Sequence, residues 1–67
     1  MEGTIKTLVT EKQYGFVRGA DGVEYFFHKS GLEATTEAFE ALGVGQRVAF
    51  TPVAGPKGPR AVEVRVL

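Results

Sequence analysis

Near the end of the chain apolar and other residues alternate strictly: Val62, Val64 and Val66 take one parity, Ala61, Glu63 and Arg65 the other. A period of two marks a half-buried strand, because successive side chains point to opposite faces. The pattern predicts a strand over residues 60–66, paired with another over 46–54. Earlier, Gly3-Thr4-Ile5-Lys6-Thr7-Leu8-Val9 is rich in β-branched types and predicts a strand over 3–9. Tyr14-Gly15-Phe16-Val17-Arg18 predicts a second over 14–18, and Val23-Glu24-Tyr25-Phe26-Phe27-His28 a third over 23–28. Between these two lies Gly19-Ala20-Asp21-Gly22, a turn cluster that closes an antiparallel hairpin.

One stretch has helical character. Thr36-Glu37-Ala38-Phe39-Glu40-Ala41-Leu42-Gly43 offers an N-cap residue, good helix formers and a terminating glycine, for two turns at most. The order is three strands, a short helical or irregular link, then two strands. Five short strands with no linker and no internal repeat predict a single all-β domain over residues 1–67, a small five-stranded antiparallel barrel of the oligonucleotide-binding type. Such a barrel has one interior. Ile5, Val17, Tyr25, Phe27, Val48, Phe50, Val62 and Val64 are expected to fill it.

Composition narrows the function classes. A chain of 67 residues buries only about 60% of the surface its unfolded form exposes, so the core carries the fold with little margin. There is no cysteine, which excludes disulfides and zinc–thiolate sites, and His28 as the only histidine makes no metal cluster. No metal or cofactor is expected. Nor is catalysis: no nucleophile–base–acid set is present, and Gly43-Val44-Gly45 precedes a strand, so it is no dinucleotide loop. No apolar run approaches the ~20 residues of a membrane span, and Met1-Glu2-Gly3-Thr4 has none of the blocks of a signal peptide. A cytoplasmic protein, monomeric by default, is expected. The eight basic and eight acidic side chains cancel, yet they are spread unevenly. Residues 33–40 hold Glu33, Glu37 and Glu40 and no cation, whereas residues 46–67 hold Arg47, Lys57, Arg60 and Arg65 against Glu63. A neutral total can hide a basic face.

The second and third strands carry the functional signal. By period two, Tyr14 and Phe16 share one face, and Phe26 and His28 share one face of the next strand. Paired as a hairpin, the four converge on one side of the sheet while Val17, Tyr25 and Phe27 take the other. Since the interior is already filled, the residual face is an exposed aromatic patch, which marks a binding site. Rings in a row suit unpaired bases, each stack being worth about 1–3 kcal/mol. Duplexes hide those base faces, so the partner expected is single-stranded RNA or DNA.

At these residues the chain resembles a family. Lys12-Gln13-Tyr14-Gly15-Phe16-Val17 is similar to the first ribonucleoprotein motif of bacterial cold-shock proteins, and Tyr25-Phe26-Phe27-His28-Lys29-Ser30 to the second. The likeness continues at Gly3-Thr4-Ile5-Lys6, at Gly45-Gln46-Arg47-Val48-Ala49-Phe50 and at Gly55-Pro56-Lys57-Gly58-Pro59-Arg60-Ala61, so it spans the chain in order. The resemblance implies a barrel that binds single-stranded RNA and DNA with loose sequence preference, melts RNA structure or tunes transcription and translation, and does no catalysis. Carried over, it implies base stacking at Tyr14, Phe16, Phe26, His28 and the link residue Phe39, with cations at Lys6, Lys12, Lys57 and Arg60. For Phe39 and Lys57 a second reading stands beside this one: on a short helical turn Phe39 would pack with Leu42 against the barrel, and in its Gly/Pro loop Lys57 would be only a solvated turn residue.

The chain also departs from the family pattern. Thr7 stands where the pattern has a tryptophan, Leu8 where it has phenylalanine, and Lys29 where an aromatic follows the histidine. The link between the third and fourth strands is acidic and about two residues longer than in the family pattern. The two stacking platforms lost at Thr7 and Lys29 predict weaker binding, about 1–3 kcal/mol each, offset in part by phosphate contact from Lys29. The rival reading is a protein-interaction or self-associating module of the same fold with weakened nucleic-acid binding.

Overall fold

In the computed structural model, which describes residues 1–32 and 39–67, five strands close into one barrel. They are β1 (Glu2–Val9), β2 (Tyr14–Gly19), β3 (Glu24–His28), β4 (Arg47–Gly55) and β5 (Gly58–Val66), and the order around the barrel is β1-β2-β3-β5-β4. All five expected strands are present, with ends displaced by one or two residues. Four of the neighbouring pairs are antiparallel, but β3 and β5 run parallel where the barrel closes. An odd number of strands cannot alternate in direction all the way round a ring, so one parallel contact is forced. It is also the thinnest: a single register pair, Phe26 with Arg60.

Local chemistry sets the hairpins. In the β2–β3 turn the Gly19 amide donates to the Val23 carbonyl at 2.8 Å, and Gly22 takes a φ of 83°. The Asp21 carboxylate accepts from the Val23 amide at 3.0 Å and from the Tyr25 hydroxyl at 2.6 Å. That bond from Tyr25, then the one from Val23, holds the Asp21 carboxyl below its usual range, and the bond to Asp21 pushes the Tyr25 phenol up. In the β4–β5 hairpin Gly55 faces Gly58 across the loop Pro56-Lys57, and Gly58 has a φ of 126°.

Two bulges decide which side chains turn inward. Ile5 pairs with Val17 and Thr7 with Phe16, so Lys6 is an extra residue in β1. Beyond it Leu8 faces the core, and Thr7 and Val9 stay on the outer face. In the last pair, Ala49 faces Arg65 and Thr51 faces Val62, so three steps of β5 match two of β4, with Glu63 at a φ of 53°. This corrects the strict alternation expected of β5. Ala61 and Val64 are both buried, and Val62 is only half-buried.

The core comprises Ile5, Val17, Tyr25, Phe27, Phe39, Leu42, Val48, Phe50, Ala61 and Val64. Each large apolar side chain buried in this way contributes about 1.5–3 kcal/mol. The first half of the expected helical segment, Thr36 to Ala38, lies outside the described residues. The second half forms a single 3₁₀ turn, Phe39–Ala41, and another such turn, Lys29–Gly31, comes directly after β3. No described helix is long and apolar enough to cross a membrane.

Candidate nucleic-acid interface

The register of β1, β2 and β3 builds two cross-strand rows on the outer surface. One row reads Thr7, Phe16, Phe26 and, across the parallel closure, Arg60. The next reads Val9, Tyr14 and His28. Residues directly opposite in adjacent strands share a face, so the four residues marked by period two do converge. The rings brace one another: Tyr14 and Phe26 lie 5.4 Å apart at 35°, Phe16 and Phe26 5.9 Å apart at 72°, and Tyr14 and Phe16 6.3 Å apart at 87°. All three are half-buried, supported by each other and still open to solvent.

Gly15 lets this surface lie flat. It faces inward between Leu8 and Phe27, and a Cβ there would run into the Thr7 carbonyl and stand 3.0 Å from the Phe27 ring. A side chain at 15 would push β1 away from β2 and break up the ring cluster.

The polar groups sit around the rings. The Arg60 guanidinium lies over the Phe26 ring, 5.3 Å from its centroid. His28 Nδ1 accepts from the Ser30 amide at 3.1 Å. A backbone N–H can only donate, so the neutral imidazole carries its proton on Nε2. The Lys29 amide donates to the Gln13 carbonyl at 2.9 Å, which brings the Lys12 turn and Lys29 together beside the Tyr14–His28 row. Both lysines are exposed, and neither bonds a described carboxylate. Lys6 differs: its ammonium is bound to the Glu24 carboxylate, and that hydrogen bond holds the Glu24 carboxyl below its usual range.

Beside Phe16 and Phe26 runs a groove of about 530 Å³, walled by Pro56, Lys57, Gly58, Pro59 and Arg60 of the β4–β5 hairpin. A second hollow of about 290 Å³ lies between His28, Ser30, Leu32 and the β5 residues Arg60 to Glu63. Arg60 lines both, so the two hollows adjoin at its side chain. Lys57 and Arg60 therefore border the rings. The prolines that wall the groove, Pro56 and Pro59, carry no such signal in the sequence. Their composition marks a loop, and only the hairpin's fold over β2 and β3 shows that it borders the rings.

Phe39 is the correction. It is 1% exposed, and its ring packs 5.9 Å from that of Phe27 in the core. A side chain so enclosed offers no face to a base. The packing reading holds, with Leu42 buried alongside. No described group of three His, Cys, Asp or Glu side chains could hold a metal ion.

Comparison with known proteins gives a consistent picture. The family model described as 'Cold-shock' DNA-binding domain matches residues 1–67. Cold shock protein 2 of Lactiplantibacillus plantarum is 36% identical over 63 residues, 94% of this chain and 92% of that one. The major cold shock protein of Streptococcus pyogenes is 38% identical over 66 residues, 98% and 96% of the two chains. Among solved structures, drosophila Unr CSD456 superposes with a TM-score of 0.73 at 24% identity, over 98% of this chain and 26% of that one, a likeness of fold.

Proposed function

The chain belongs to the cold-shock DNA-binding domain family, and from that premise we propose that Tyr14, Phe16 and Phe26, with His28, stack the bases of a single nucleic-acid strand. Members of this family bind single-stranded nucleic acid and are not enzymes. The observation that carries the assignment is the braced ring cluster, three aromatic side chains within 6.3 Å of one another on an outer surface whose interior is already filled. Arg60, Lys57, Lys12 and Lys29 surround it and supply phosphate contacts. Lys6 contributes only in so far as a phosphate displaces Glu24. The cations also favour this reading over docking of an apolar protein segment, which would gain nothing from them.

Stacking is tolerant of base identity, since every base has a π-face, so the sequence preference is loose. A protein that binds the single strand and not the duplex pulls the melting equilibrium towards the open form by mass action. That is the physical content of an RNA-melting role. The test is fluorescence anisotropy of a labelled oligopyrimidine titrated with the protein. Single strands should compete and duplex should not. The logarithm of affinity should fall against that of salt with a slope of about −3, from four cations at roughly −0.7 each. Equal competition by duplex would remove the stacking assignment, and a slope near zero would remove the phosphate contacts.

A further inference from the structure

The outer surface that carries the rings continues past Phe16. Two residues along β2, Arg18 lies directly across from Thr4 of β1, and Thr4 lies across from Arg47 of β4. Opposite partners share a face with Cβ atoms about 4.5–5.5 Å apart, so two guanidiniums flank one threonine. Along β2 the outward positions run Tyr14, Phe16, Arg18, each step about 6.8 Å. The arginine pair is thus one step beyond the rings on the same sheet surface.

Both arginines are exposed. Arg47 donates one bond to the Glu2 carboxylate at 2.8 Å and stays 70% exposed, with further N–H groups open. Among the described residues the Arg18 side chain makes no hydrogen bond, and Glu24, its neighbour across β3, is already bonded to Lys6. Glu2 and Glu24 each hydrogen-bond one cation, and Arg18 also acts on Glu24 through space, so three cations against two carboxylates leave the patch with positive charge in excess. Between the two arginines Gly3, Gly19 and Ala20 leave a shallow depression of about 340 Å³. It has no ring on which a base could stack. What it has is two planar forks and a hydroxyl, the donor set that matches phosphate oxygens, with the Glu2 carboxylate also on its lining and bonded to Arg47.

We propose that Arg18 and Arg47, with Thr4 between them, bind the phosphodiester backbone of the same single strand that lies on the rings, beyond the Lys6–Glu24 pair. This rests on the stacking reading of the ring face. It makes a length prediction: a strand that covers only the rings, about four nucleotides, does not reach the patch, whereas one of about eight does, within the range known for such barrels.

The test compares a thymidine tetranucleotide and an octanucleotide on the wild type, on an Arg18→Gln/Arg47→Gln double variant, and on Thr4→Glu, with circular dichroism to confirm the fold of each. Both variants should bind the tetramer as the wild type does and lose roughly three- to tenfold on the octamer, as befits two exposed charge contacts. The double variant's salt slope on the octamer should be shallower by about 1.4. An unchanged octamer affinity and slope, with tetramer binding intact, would overturn the proposal. Equal losses on both lengths would also overturn it, because general attraction does not depend on reach. A wild type that binds neither length would overturn the ring-face reading itself, a result distinct from the other two.

Discussion

Phe26 and Phe27 are neighbours in β3, yet Phe27 is 0% exposed against Phe39 in the core, while Phe26 is half-buried between Tyr14, Phe16 and Arg60 on the surface. The same two strands therefore carry rings on both faces, under different physical rules. Inside, the gain is removal of the whole side chain from water and dense contact with Ile5, Val17 and Val64. Outside, the rings touch only at edges and tilted faces, so part of each aromatic surface stays open to solvent. Folding completes the inner set; on the proposed reading, a bound strand completes the outer one. Residue type alone does not tell a core ring from a binding ring. The register does, together with the limit that a small barrel has one interior.

The sharpest way to break this comparison is a ring that the resemblance places outside and the structure places inside. Phe39→Ala should cost about 3–5 kcal/mol of stability by transfer loss and cavity formation, most of the margin of a small domain. Phe39→Leu should cost less and leave a folded protein whose oligonucleotide affinity is that of the wild type. Chemical denaturation and anisotropy read the two quantities. A leucine variant of normal stability that binds several-fold more weakly would move Phe39 to the binding face.

Next comes the outer set. Phe26→Ala should weaken single-strand binding by about 1–3 kcal/mol, the worth of one stack, because it removes the ring that contacts both Tyr14 and Phe16 and carries Arg60. Its thermal stability should fall much less than that of Phe39→Ala. Comparable losses of stability would show that the outer rings are structural, and the distinction between the faces would go.

Thr7 extends the comparison by adding a ring where none stands. It is exposed and lies opposite Phe16, so a tryptophan there would join the Phe16–Phe26–Arg60 row. Thr7→Trp should be nearly neutral for stability, since both types suit strands. It should tighten single-strand binding by about 1–3 kcal/mol at most. The indole, the only one in the chain, would report binding by quenching. No quenching on saturation would place position 7 outside the path of the strand.

How far the sequence carries these assignments differs from element to element. Period two in Tyr14–Val17 and Tyr25–His28 is enough to separate Phe26 from Phe27, because those two strands pair without a slip. It is not enough in β1 or β5, where Lys6 and Glu63 are the extra residues of bulges. Neither is a glycine, and Glu63 holds a positive φ without the composition that would announce it. Alternation puts Val62 in the core for that reason, and only the family likeness sets Thr7 on the ring face. The parallel closure of β3 on β5 leaves no local trace at all, though it is what brings Arg60 over Phe26. The partner of Lys6 is hidden likewise, since Glu24 is 18 residues away in the chain.

That last pair offers the smallest test, and it concerns charge at the edge of the ring face. Lys6 projects from the bulge of β1 and is bonded to Glu24 beside the rings. A phosphate that uses Lys6 must displace a carboxylate from it. Glu24→Gln removes the competitor and should make the salt slope of binding steeper by about 0.7, one added contact on a single strand. The pH dependence has its origin in the same bond. The Glu24 carboxyl is held below its usual range by Lys6, so the pair is intact at neutral pH and is lost as pH falls through that lowered value. Wild-type affinity should therefore rise towards acid pH more than that of Glu24→Gln, the other carboxylates being common to both. If the two proteins show the same slope and the same pH profile, Lys6 stays with Glu24 in the complex. At the ring face the backbone is then held by Lys12, Lys29, Lys57 and Arg60.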